Sequence, residues 1–250
     1  MSCLFALSGK GGVGKTTLAG LFVRSLRELG KTPILAIDAD PNSCLGDMLG
    51  VQVSFTIGSA RETVRDEAEA QKLSKQELLR LKIAQSLVEK NGFDMISMGR
   101  PEGPGCYCYA NNVLKMAIKE LSDQYPFVVL DNEAGLENLS RRIVQSVDVL
   151  VLVSDASNSG MNTLERLYNL AREMRVGFRK LILLVNRTRG CELSESALRV
   201  KSNTGAQKLL ALPYDEEIAL LAEESKPVWE VSDSNPTYTR VRELISETIL

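Results

Sequence analysis

Short apolar runs recur along the chain, separated by stretches in which apolar positions return every three or four residues. The runs fall at residues 3–7, 33–38, 93–98, 126–131, 148–154 and 180–186. They are uniformly apolar instead of alternating, the pattern of parallel strands covered on both faces. Between them, residues 18–29, 111–124 and 162–175 read as helices, and a short helix is expected up to Leu49. In the last helix, 238–250, Val241, Leu244, Ile245 and Ile249 share one face and Arg240, Arg242, Glu243 and Glu247 lie elsewhere, as in a helix that packs on a core. Residues 54–90 are rich in charge and predict helices over 60–71 and 75–90, the second started by a capping box of Ser74 and Glu77. Strands alternating with helices predict an α/β fold, a doubly wound, mainly parallel central sheet flanked by helices. Its functional edge is the one where the strands end.

The first run leads straight into Ser8-Gly9-Lys10-Gly11-Gly12-Val13-Gly14-Lys15-Thr16-Thr17. Gly9, four residues, then Gly14, Lys15 and Thr16 match the G-x-x-x-x-G-K-[ST] phosphate loop, in the strand-loop-helix context the motif requires. The glycines let backbone N–H groups turn inward on phosphates, Lys15 reaches the β- and γ-phosphates, and the Thr16 hydroxyl can ligate magnesium beside the positive end of the helix dipole. Two later strands end in acid. Asp38 and Asp40, two apart on extended backbone, point to the same side, toward the metal and the water near the γ-phosphate; Asp40-Pro41-Asn42 also suits a helix start. Asp131-Asn132-Glu133-Ala134-Gly135 offers Asp131 to hold magnesium through water, and Gly135 lets the backbone approach the γ-phosphate and move after hydrolysis.

With 250 residues and no break in composition, the expectation is a single domain, 1–250, with a helical insertion at about 54–90. A net charge of −2 argues against sequence-independent binding of nucleic acid. No apolar run approaches a membrane span and no basic leader precedes the first strand, so no membrane partner and a cytoplasmic location are expected. Five cysteines in such a chain read as reduced thiols. Cys3, Cys44 and Cys191 are isolated and read as small apolar side chains.

Cys106-Tyr107-Cys108 is different. The loop before it, Gly99-Arg-Pro-Glu-Gly-Pro-Gly105, holds three glycines and two prolines and reads as a shaped turn that presents two thiols. On extended backbone the two sulfurs point the same way, roughly 7 Å apart at ~3.3 Å per residue, near enough for two bonds to one ion after modest adjustment. Two thiolates are half a site, and a two-fold axis would supply the other half. Tetrahedral sulfur suits zinc and a square-planar set suits nickel(II), so the metal stays open between Ni2+ and Zn2+. The chain has no histidine, which leaves sulfur as the soft donor.

K-G-G-V-G-K-T-T resembles the deviant Walker A of the MinD/ParA/nitrogenase-iron-protein class of dimeric P-loop ATPases. The resemblance implies that Lys10 crosses a two-fold interface to the partner's ATP, stabilising charge on the transferring phosphate. It also implies that Asp40 orients or activates the attacking water, and that Asn186-Arg187 and, further on, Pro213 and Asp215 flank the adenine ring. D-N-E-A-G-L-E-N-L-S-R-R together with G-R-P-E-G-P-G-C-Y-C resembles, over nearly the whole chain, the CooC-type nickel-insertion ATPases that mature carbon monoxide dehydrogenase and acetyl-CoA synthase. A histidine common in that family is Asn138 here, which leaves the client enzyme open. The implied function is an ATPase, using ATP and Mg2+, that dimerises, holds nickel or zinc at Cys106 and Cys108 and delivers it to the apo nickel enzyme. The alternatives are a partition or positioning ATPase like MinD or ParA, and an iron–sulfur reductase like the nitrogenase iron protein. The first calls for a basic face or tail, and the second for a cysteine within 131–142; the sequence offers neither.

Overall fold

The computed structural model describes residues 2–59, 74–100, 106–135 and 146–249. The helix expected over 60–71, part of the Gly/Pro loop at 101–105 and Asn138 lie outside the described residues. The strands are β1 (Cys3–Gly9), β2 (Ile34–Asp38), β3 (Val88–Lys90), β4 (Phe93–Ser97), β5 (Phe127–Asp131), β6 (Ser146–Asp155), β7 (Gly177–Thr188) and β8 (Lys208–Pro213). The helices are α1 (Lys15–Glu28), α2 (Leu45–Met48), α3 (Lys75–Ser86), α4 (Cys106–Leu121), α5 (Asn158–Glu173), α6 (Glu195–Thr204), α7 (Glu216–Glu223) and α8 (Pro236–Ile249). The strands form one sheet in the order β3-β4-β2-β5-β1-β6-β7-β8. Every pairing is parallel except β3 with β4. This is the doubly wound, mainly parallel α/β architecture that the apolar runs predict.

Period-two alternation within each strand divides the core in two. Leu4 and Ala6 of β1, Leu35 and Ile37 of β2, and Val128 and Leu130 of β5 face α4 and α5. Phe5 and Leu7, Ile34 and Ala36, and Val129 face α1 and α8. In α8, Val241, Leu244 and Ile245 are buried, as the sequence pattern requires. Both faces being covered explains why the strands read as continuous apolar runs. The sequence order of the strands reverses direction around β1, so the crevice at a topological switch point opens where β1 ends, at the phosphate loop.

The structure corrects four local expectations. The helix from Lys75 stops at Ser86, because Leu87 is extended (ψ 122°), and residues 88–90 pair antiparallel with β4. The short helix up to Leu49 contains only Leu45–Met48, and its first N–H, that of Leu45, goes to Asp38 instead of the Asp40 segment. Cys44 and Cys191 are exposed, so neither fills core; both lie in loops beyond strand ends. Cys106 and Cys108 open a helix instead of ending an extended loop, since nothing after Gly105 breaks a helix. Positions two apart on a helix do not face each other, so the same-side placement expected of extended backbone does not hold there.

Candidate nucleotide site

The phosphate loop runs from the end of β1 to the first turn of α1. Gly14 caps α1 in the left-handed region (φ 90°), and a Cβ there would lie 2.6 Å from Asn186 Nδ2. Gly9 is just as constrained: a Cβ would fall 2.2 Å from the Val153 carbonyl oxygen of β6. Lys15 is buried and its Nζ donates to the Lys10 carbonyl, at 3.2 Å. That carbonyl belongs to the loop whose concavity receives phosphate, so the lysine rests where a phosphate oxygen would replace it. Burial pulls the Lys15 pKa below the usual lysine value, and Asp131, Asp40 and Glu133 work against that shift. Lys10 is exposed, on the rim of the loop, near enough to Asp155 to favour that carboxylate's charge after the hydrogen bonds from Ser157.

The strand-end acids converge beside Lys15. Asp38 has 0 % exposure and accepts from the backbone N–H groups of Asp40 (3.0 Å) and Leu45 (2.9 Å), which folds the segment after β2 back on the strand. Asp40 accepts from the Asn42 backbone and side chain, both at 2.9 Å, through one oxygen, Oδ1. Asp131 is 1 % exposed and neither carboxylate oxygen has a hydrogen-bond partner. The Thr16 hydroxyl lies close enough to favour its charged form while falling short of hydrogen-bond geometry. Burial pushes Asp131 up to about 7, and burial with the Asp131 charge pushes Asp38 up to about 8. Buried carboxylate oxygens without partners, beside a threonine hydroxyl at a helix N-terminus, are the donor set of a hard divalent cation such as Mg2+.

The segment after β5 is pinned to the phosphate loop. Asn132, absent from the sequence-derived site, donates its Nδ2 to Leu7 O (3.0 Å) and Ser8 Oγ (3.2 Å), and Gly135 N–H donates to Gly9 O at 2.9 Å. Gly135 has φ 87°, which glycine tolerates without strain.

A cleft beside α1 brings together Asn186, Arg187, Pro213 and Asp215, along with Gly14 and Tyr214. Asn186 Nδ2 donates to Val13 O (2.8 Å) and Arg187 Nη1 to Gly12 O (3.0 Å), so both brace the loop from behind. Asp215 caps α7, accepting from Ile218 N–H at 3.1 Å. Tyr214, 61 % exposed at the mouth, carries no sequence signal of its own, since only its neighbours fit a pattern. Thr237, from α8, also lines the cleft and carries no local signal at all.

The cysteine pair lies down-chain of the same edge. Met98 N–H donates to Asp38 O (2.8 Å), Ser97 Oγ donates to Ser43 Oγ (2.8 Å), and Gly99 packs so tightly on Thr56 that a Cβ would come within 2.2 Å of its hydroxyl. The chain that leads to Cys106 thus departs from β4 in contact with the Asp38–Ser43 segment. Among the described residues no three Cys, Asp or Glu side chains form a metal cluster; the side chains of Cys106 and Cys108 lie outside that description.

A phosphate loop after the central strand of this sheet, with acids at the ends of β2 and β5, is the arrangement of a P-loop nucleotide-binding protein, and the fold is that of MinD and ParA structures. The septum site-determining protein MinD of Pyrococcus horikoshii, in complex with Mg-ADP, shares the fold with a TM-score of 0.72 over 99 % of this chain and 96 % of its own, at 20 % identity. Residues 3–182 match the family model described as AAA domain, and the chain belongs to that family. An ATP-binding protein of Methanocaldococcus jannaschii is 41 % identical over 98 % of both chains. The carbon monoxide dehydrogenase accessory protein CooC of Rhodospirillum rubrum is 29 % identical over 68 % of this chain and 69 % of its own.

Proposed function

We propose that this protein is an ATP-hydrolysing nickel-insertion factor that carries Ni2+, or Zn2+ in its place, on Cys106 and Cys108 of two chains and delivers it to an apo nickel enzyme. The client is of the carbon monoxide dehydrogenase kind, by the similarity to CooC, or of the acetyl-CoA synthase kind that the sequence resemblance also implies. The observation that carries the reading is the Cys106-Tyr107-Cys108 pair at the head of α4, in a chain without histidine and next along from the strand end that touches the Asp38–Ser43 segment.

On binding ATP, Lys15 exchanges the Lys10 carbonyl for phosphate oxygens, and the N–H groups of residues 11–17 turn on the phosphates. Thr16 and Asp131, with Asp38 behind them, are the residues that would hold Mg2+. That ion, when bound, neutralises charge on the β- and γ-phosphates. Asp40 keeps an oxygen free of the Asn42 turn to orient the attacking water, and loss of the γ-phosphate frees Gly135 from whatever it held. Lys10, exposed on the rim, reaches the nucleotide of a second chain. ATP then favours the closed pair of chains because each half-site is incomplete alone, and hydrolysis reopens it. Asn186, Arg187, Pro213 and Asp215 flank the base.

Metal content of the Cys106→Ser, Cys108→Ser double variant tests the cargo. The expected result is loss of bound nickel and zinc with ATP binding retained. An unchanged metal stoichiometry contradicts the reading and leaves a MinD- or ParA-like positioning ATPase, which shares the nucleotide cycle and needs no metal.

A further inference from the structure

The base-side cleft holds a buried polar group that no motif assigns. Thr237 stands in the first turn of α8, lines the cleft and is 3 % exposed, and its Oγ1 has no hydrogen-bond partner. A buried hydroxyl without a partner costs stability, and valine would fill the same volume without that cost. The start of the helix that carries it is held in place. Asn235, two residues earlier, accepts from Tyr238 N–H at 2.9 Å and donates to Asp215 Oδ1 (3.0 Å) and Glu217 Oε2 (2.7 Å), which ties the start of α8 to the loop that forms the cleft wall. The rest of that wall is largely apolar, with Leu18, Leu21, Ile218, Ala219 and Ala222.

A slot with largely apolar walls and, in its lining residue Thr237, a buried hydroxyl without a partner fits a purine, whose faces are apolar and whose edge carries ring nitrogens that accept hydrogen bonds. Asn186 has its Nδ2 engaged by Val13 O, which leaves its oxygen to accept from an exocyclic amine. The Thr237 hydroxyl, in the first turn of a helix where the dipole is positive, is suited to donate to a ring nitrogen. We infer that Thr237 is a base-recognition residue, the hydrogen-bond donor to the edge of the adenine ring, brought to the site by the C-terminal helix. The inference rests on the nucleotide reading of the site and is independent of the metal.

Thr237→Val and Thr237→Ser are compared with the wild type for affinity toward Mg-ADP and toward inorganic tripolyphosphate, which has no base, and for thermal midpoint without ligand. Thr237→Val is expected to weaken ADP about three- to tenfold, the loss of one hydrogen bond, and to raise KM for ATP with kcat kept. Tripolyphosphate binding should not change, the ligand-free midpoint should hold or rise, and Thr237→Ser should keep ADP affinity. Wild-type affinity for ADP in Thr237→Val overturns the inference, as does equal weakening of ADP and tripolyphosphate. A wild type that binds tripolyphosphate but gains nothing from the base overturns it too, while one that binds neither contradicts the nucleotide reading itself.

Discussion

Asp38 and Asp131 hold protons that an unfolded chain would release. Their folded values, about 8 and about 7, stand above the ~3.9 of a free aspartate. The folded state therefore binds more protons than the unfolded one across this window. Stability is greatest below about pH 4 as far as these groups are concerned, and it falls as pH rises toward 8, by up to about 1.4 kcal/mol per pH unit for each group. The thermal midpoint of the nucleotide-free protein should be lower at pH 8 than at pH 6, and Asp131→Asn should flatten that slope; a midpoint rising with pH through the window contradicts the placement of these acids. At Gly9, alanine would drive its Cβ onto the Val153 carbonyl. Gly9→Ala should cost about 1–3 kcal/mol in urea unfolding and abolish nucleotide binding. The phosphate-loop residues were legible in the sequence because their motif is local and demands fixed residue types. Tyr214 and Thr237 were not, because the cleft draws single side chains from distant segments, and a lone tyrosine or threonine has no pattern to betray it.

Helix α3 shows how far local chemistry reaches. Its start was readable because the capping box is a short-range exchange: Glu77 N–H donates to Ser74 Oγ (3.2 Å) and Ser74 N–H to Glu77 Oε2 (2.9 Å). Ser74→Ala should cost about 1 kcal/mol, seen as faster amide exchange within residues 75–86 with unchanged ADP affinity. Its end departs from the periodicity because residues 88–90 owe their strand to β4, a lateral partner that periodicity cannot reveal. Helices α6 and α7 went unassigned although Ser194 and Asp215 cap them, since their apolar stripes are short and broken by charge. Gly99 links two elements: it sits at φ 64° against Thr56. Gly99→Ala should destabilise by about 1–3 kcal/mol and, by shifting the chain between β4 and α4, lower metal affinity more than ADP affinity in paired titrations.

At the scale of the molecule, the uniformly apolar runs made the doubly wound sheet readable, because burial on both faces leaves a mark in the six inner strands, while β3 and β8 lie at the sheet's two edges and are only partly buried. Strand order and the antiparallel edge are properties of pairing and left no such mark. The nucleotide edge and the chain that leads to the cysteines share the ends of β2 and β4. In the proposed function, nucleotide and metal are bound by a pair of chains together. Light scattering on size-exclusion chromatography, with metal analysis of each peak, tests it on the wild-type protein with and without Mg-ATP and Ni2+. ATP and nickel together are expected to move the protein to a dimer that carries the metal, and hydrolysis to return it to a metal-poor monomer. A protein whose mass and metal content ignore the nucleotide contradicts that function.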